Sequence, residues 1–123
     1  MIGKVYLSVV DYYDARTGAT RRKTRPVLVV GGPNENDYTV LPISTIPHRE
    51  HVNAHYDILI PAQERVVLSL NSECFIRAHK QIPMHTAALL RPIGDMKKDA
   101  PSLYLDALGK MEEFQKNVLN YAI

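Results

Sequence analysis

Arg25 and the hydroxyls of Ser44 and Thr45 are the residues whose types and spacing most directly suggest chemistry. They bracket the stretch TRPVLVVGGPNENDYTVLPIST, residues 24–45, in which two β-branched runs flank a turn. Val27, Val29, Tyr38, Val40 and Ile43 alternate as strand residues do, while Gly31, Gly32, Pro33, Asn34, Asn36 and Asp37 supply the turn. So short a connection requires antiparallel strands, which brings the entrance of the first strand to the exit of the second. A permanently charged guanidinium beside two hydroxyls at a sheet rim is a ready phosphate site.

Arg16, Arg21, Arg22, Lys23 and Arg25 crowd together with no acid between Arg16 and Arg25. Such a run is either a solvated loop or a funnel that draws anions toward Arg25. Arg77 and His79 form a second candidate pair. Strand alternation places them on one outward face, opposite Ile76 and Ala78. A histidine there is either a solvated bystander or a group able to accept one proton and return another. His48, His51 and His55 suggest zinc, but neither a cysteine nor a tight His-Glu motif accompanies them, so a simple loop is the expectation and no metal site is assigned. Tyr12, Tyr13, Tyr38 and Tyr56 can stack on unpaired bases or pack as half-buried strand residues. Cys74 is expected to be a buried, inert thiol.

The elements that must position these groups read as mostly β. The 123 residues are enough for one domain with a real core, and 46% hydrophobic and 23% charged residues are ordinary for a globular chain. A single cysteine excludes an internal disulfide, and the N-terminal MIGKVYLSVV is too short for a signal peptide or membrane span, so a cytoplasmic protein is the expectation. Net charge is only +2, which leaves charge placement to decide any nucleic-acid binding. Lys4 to Tyr13 reads as a strand and Asp14 to Lys23 as a polar loop pivoting on Gly18. Pro42 marks an edge or bulge, Pro47 to Asn53 a loop, and Tyr56 to Ile60 a short strand. An apolar run, Val66 to Leu70, and a turn at Asn71-Ser72 precede a strand through Phe75 and Arg77 to His79. Pro83 to Leu90 holds a single helical turn. From Ser102 on, Leu105, Leu108, Met111, Phe114, Val118 and Tyr121 predict an amphipathic helix, capped by Ser102 or Asp99. Gly109 costs it about 1 kcal/mol relative to alanine.

GKVY (Gly3 to Tyr6), TRPVLVV, the LPIS strand end, SECFIRAHKQI and a closing helix together resemble the MazF/PemK (Kid) toxins of bacterial toxin–antitoxin pairs. The resemblance spans essentially the whole chain, residues 1–123, as one domain. It implies an SH3-like small barrel with a C-terminal amphipathic helix, a fold also shared by the CcdB toxins. It further implies a homodimer that cleaves single-stranded RNA without metal or other cofactor, by 2′-hydroxyl attack to a 2′,3′-cyclic phosphate and a 5′-hydroxyl. The implied partner is an antitoxin whose extended C-terminal segment occupies the RNA groove. The family's catalytic arginine falls on Arg25 and its hydroxyl residue on Ser44. An arginine and aspartate of the PemK branch fall on Arg77 and His79, so histidine stands in place of a carboxylate. Arg21, Arg22, Lys23, Thr45, His48 and His51 are the expected RNA contacts. Ala19 to Lys23 departs from the Glu-Gln and glycine that members typically carry before the arginine. The rival is a noncatalytic module of the same fold, gripping a protein target as CcdB toxins do, or DNA together with its antitoxin.

Overall fold

The computed structural model describes residues 1–123. Strand β1 (Lys4–Asp14) pairs with the long β2 (Ala19–Asn34), which turns through Glu35 and Asn36 into β3 (Asp37–Ser44). Both turn residues take positive φ, 53° and 71°, as a tight hairpin needs. Next come β4 (Asp57–Leu59), the short helix α1 (Ala62–Val67), β5 (Phe75–Arg77), β6 (Ile82–His85) and β7 (Leu89–Asp95). Helices α2 (Met96–Asp99) and α3 (Pro101–Ala122) close the chain. Every strand pair is antiparallel, in the order β4-β5-β3-β2-β1-β7, with β6 added to β3.

The sheet curls so that β2 and β3 are covered on both sides, which is why VLVV is apolar without a break. Leu28, Leu41 and Ile43 join the larger core with Val5, Ile76, Met96, Leu103 and Tyr104. Val27, Val29 and Val40 point the other way, into a smaller core with Met84 and Leu89. Successive side chains of one strand thus feed two different cores. Pro42 is neither at an edge nor in a bulge. β3 pairs with β6 through Asp37–Val40 and with β5 through Ile43–Ser44, and Pro42 sits in the gap between these ladders, opposite Val27. No ladder there needs the amide it lacks.

Three other expectations are revised. Residues 19–23, read as loop, are strand, because β1 is long enough to pair with them out to Asp14↔Ala19. In the run Val66–Leu70 only Val66 and Val67 belong to α1 and the rest is the turn that leaves it; Val66 is 78% exposed and only Leu68 is fully buried. The single helical turn expected within Pro83 to Leu90 is present as a 3₁₀ turn at Thr86–Ala88, but it only links two strands, β6 and β7, that the expectation lacked. β7 is an edge strand, where Pro92 is tolerated.

α3 forms as expected but on a shifted stripe. Leu103, Tyr104 and Ala107 are buried, with Leu108, Met111 and Phe114 following on the same face, while Leu105, Val118 and Tyr121 are exposed. Leu105 is two residues, about 200° of helix turn, from Leu103, so both cannot face the sheet. Neither Ser102 nor Asp99 caps the helix. Ala100 is the N-cap, without a side-chain bond, and Pro101 opens the first turn. The capping carboxylate belongs to α2, where Asp95 accepts the Lys98 N–H at 3.1 Å.

Candidate functional site

β2 and β3 stay paired from Val29↔Val40 to Val27↔Pro42. The ladder ends there, two residues short of Arg25 on β2 and of Ser44 on β3. Ser44 in turn faces Phe75 of β5. The backbone at Arg25 is held from its other side by Ser8, a fully buried hydroxyl that donates to the Arg25 carbonyl at 2.8 Å. Arg25 itself is half-buried and engaged in no salt bridge, unlike Arg16, Arg21, Arg22 and Arg77. Its fork is therefore free to take a ligand.

Beyond Val27 and Pro42 the two strands part, and a cavity of about 390 Å³ opens at their separation. Pro26, Ile43 and Thr45 line it from the larger-core side of the sheet, the Ser69–Ser72 segment walls it, and Lys23 and Arg25 border it. None of its thirteen lining residues is an acid or a histidine. Thr45 lines the cavity; Ser44, one residue earlier, does not. The structure thus brings Arg25, Lys23 and Thr45 to one cavity and leaves Ser44, the last residue of β3, outside its lining.

The basic run lies along a strand whose partner carries acids. Arg21 pairs with Asp14 at 3.2 Å and Arg22 with Asp11 at 3.2 Å, while Lys23 sits over the Tyr12 ring at 4.4 Å. Arg16 also reaches Asp14, at 3.7 Å. An acid-free run in sequence is therefore partly neutralised in space. Alternation divides it as well: Arg21 and Lys23 share the side of β2 that carries Arg25, and Arg22 lies on the other. Tyr12 and Tyr13 are exposed on this ribbon, whereas Tyr38 and Tyr56 are half-buried.

Strand alternation does not reach His79, because β5 ends at Arg77 and His79 lies in the turn after it; both side chains nevertheless come to Asp57, on a covered rather than outward face. β4 sets Asp57 directly across from Arg77. The Asp57 carboxylate is fully buried and accepts Arg77 Nε at 3.0 Å, Nη2 at 3.4 Å and the Asn53 N–H at 2.7 Å. The His79 side chain is only 9% exposed, stacked on Tyr56 at 5.7 Å and edge-on to Phe114 at 5.9 Å. Its Nδ1 is 3.8 Å from Asp57 Oδ1, too far to bond, and has no other partner. Burial pushes the imidazole pKa down, with Asp57 opposing and Arg77 and Lys80 reinforcing the shift. Neither residue lines the Arg25 cavity. Asp57 was not singled out from the sequence, because its role exists only through the β4–β5 register.

His48 and His51 are exposed around the 3₁₀ turn Arg49–His51, with rings 5.5 Å apart. His55 is instead bonded to Glu113 at 2.8 Å, which holds that carboxyl below its usual range. Cys74 is buried beside the cavity, and burial pushes its thiol pKa up, away from the reactive thiolate.

No family model and no curated protein matches the chain. Among solved structures it is similar to the Mycobacterium tuberculosis toxin MazF-mt6, with a TM-score of 0.58 and 18% sequence identity, over 89% of this chain and 96% of that one. The architecture is accordingly of the MazF type: a curled antiparallel half-barrel closed by a C-terminal helix. No helix is long and apolar enough to cross a membrane.

Proposed function

We infer that the chain is a toxin-type endoribonuclease that cleaves single-stranded RNA without a metal ion. The observation that carries this reading is a guanidinium free of ion pairs, bordering with Thr45 an acid-free cavity, on a fold shared with a MazF toxin. Attack of a ribose 2′-hydroxyl on its own phosphate builds negative charge on the phosphorane. The Arg25 fork suits two of those oxygens, and Ser44 can donate to a third or orient the nucleophile. Arginine stays protonated, so Arg25 stabilises charge rather than removing the proton. Thr45 and Lys23 meet the strand on either side of the cleaved bond, and Arg21 continues that cationic side outward. His48 and His51 contact RNA beyond the cavity.

In this reading Arg77 and His79 act at one remove. Arg77 holds β5 to β4 through Asp57, and β5 holds Ser44 through Phe75. The working unit is a homodimer in the cytoplasm, inhibiting growth until an antitoxin lays an extended C-terminal segment in the RNA groove. Incubating the protein with long RNA in excess chelator, and mapping the ends, tests the proposal. Fragments with 2′,3′-cyclic phosphate and 5′-hydroxyl ends support it; intact RNA across several substrates overturns it.

One observation favours the alternative, a noncatalytic module binding a protein target, or DNA with its antitoxin. The cavity offers no imidazole or carboxylate to move a proton. The same chelator assay separates the two, because a binding module leaves RNA whole.

A further inference from the structure

The Arg25 cavity is better furnished than a phosphate site needs to be. Leu7, Ile43 and Ile93 give its lining an aliphatic part, and Thr45, Asn71 and Ser72 line it as exposed residues whose side chains make no hydrogen bond within the protein. The wall carrying Asn71 and Ser72 is held in place by the end of α1. The Ser69 N–H bonds the Val66 carbonyl at 3.3 Å and the Leu70 N–H bonds that of Arg65 at 2.9 Å. Ser69 adopts φ +58°, a left-handed conformation costly for a non-glycine residue and concentrated at ligand sites. A cavity lined by aliphatic side chains with a few polar groups is the usual form of a small-ligand site, and about 390 Å³ is within the normal range.

We propose that this cavity binds one unstacked nucleobase of the RNA, with the adjoining phosphate held at the rim by Arg25 and Lys23. The inference rests on the ribonuclease reading and adds the source of its sequence preference. Single-stranded RNA is read by splaying a base out and bonding its Watson–Crick edge. Asn71 offers a donor and an acceptor together, the pairing that distinguishes one base edge from another. Thr45 and Ser72 add hydroxyls that can do either. Aliphatic side chains take the ring face, and the absence of any acid keeps the entrance open to a phosphate. The parting of β2 and β3 beyond Val27 and Pro42 is the passage: base on the Ile43 side, phosphate on the Arg25 side.

The test follows amide NMR shifts while adding each of the four nucleoside 3′-monophosphates, and inorganic phosphate as a control. One nucleotide should bind about tenfold more tightly than the poorest and than phosphate, with shifts at Thr45 and residues 69–74. Asn71→Ala should flatten the ranking about tenfold. Ser72→Trp, which fills the cavity, should lose nucleotide binding but keep the phosphate response at Lys23 and Arg25. Equal binding of all nucleotides and phosphate, or an Asn71→Ala protein with the ranking intact, overturns the proposal. The readout is independent of turnover. Base ranking without RNA cleavage would sustain the pocket and defeat the ribonuclease, whereas cleavage without ranking would defeat the pocket alone.

Discussion

Removing Arg77 should destabilise the protein more than removing any other single surface cation. Asp57 is fully buried and holds three donors, two from Arg77 at 3.0 and 3.4 Å and one from the Asn53 N–H at 2.7 Å. Arg77→Ala leaves the carboxylate with the Asn53 N–H alone. Breaking a buried pair from one side costs about 3–5 kcal/mol. Arg77 is 25% exposed, so water can enter the space it vacates, and a loss discounted to just below that range, about 2–3 kcal/mol, is expected. For a chain of this size that corresponds to a fall in Tm of about 8–15 °C. Urea titration at pH 7 measures it directly. The double variant Asp57→Asn/Arg77→Met removes both charges and should recover at least about 1 kcal/mol relative to Arg77→Ala, since the penalty comes from an unpaired charge. An Arg77→Ala protein within about 0.5 kcal/mol of wild type, or a double variant at the sum of its singles, would refute the reasoning.

Arg25→Ala should lower RNA cleavage by at least about 100-fold while leaving stability within about 0.5 kcal/mol, because Arg25 is in no ion pair; retained turnover, read from cyclic-phosphate ends, would remove it from the mechanism. His79 has its folded pKa below the unfolded value, so the unfolded chain binds the proton first and stability falls as pH drops below the ordinary histidine range. His79→Phe should therefore match wild type within about 1 kcal/mol at pH 8 and be the more stable of the two at pH 5.5, as urea midpoints will show. Lys23→Ala should reduce the log–log salt slope of RNA binding by about 0.7, and Arg22→Ala by less than half as much, since Arg22 lies on the opposite side of β2 and is paired with Asp11. Gly94→Ala should cost about 2 kcal/mol in the same titration, because the new Cβ would stand 2.8 Å from the Leu68 Cα, a backbone atom that cannot rotate away.

Where periodicity was long, the sequence was legible. β1, β2 and β3 announce themselves by alternation, and the terminal helix by its three- and four-residue steps. Three-residue strands carry too little pattern, so β5 was read as longer than Phe75–Arg77. β7 carries too little strand pattern to be legible, with Pro92 and Gly94 inside it, and only pairing with β1 makes it a strand. The helix stripe slipped because Leu105 fits the spacing as well as Leu103 does. What decides between them is the position of the sheet, a tertiary fact.

The same distinction governs the site. The turn at Glu35 and Asn36 is local, but the β2–β3 register shifts twice beyond it, between Asn34 and Gly31 and between Gly31 and Val29, so which residues end up opposite each other near Arg25 does not follow from turn length and alternation. The partners that decide the fate of the remaining charges are not local. Asp57 comes to Arg77 from twenty residues away, and Asp11 and Asp14 reach the basic run only because β1 and β2 form an extended ribbon. A sequence shows which cations are near each other along the chain; register shows which still have charge to spend. By that measure Arg25 stands apart from the arginines around it. Its carbonyl is fixed by Ser8 while its guanidinium is left without an acid, so the strand end is anchored and the functional group remains free.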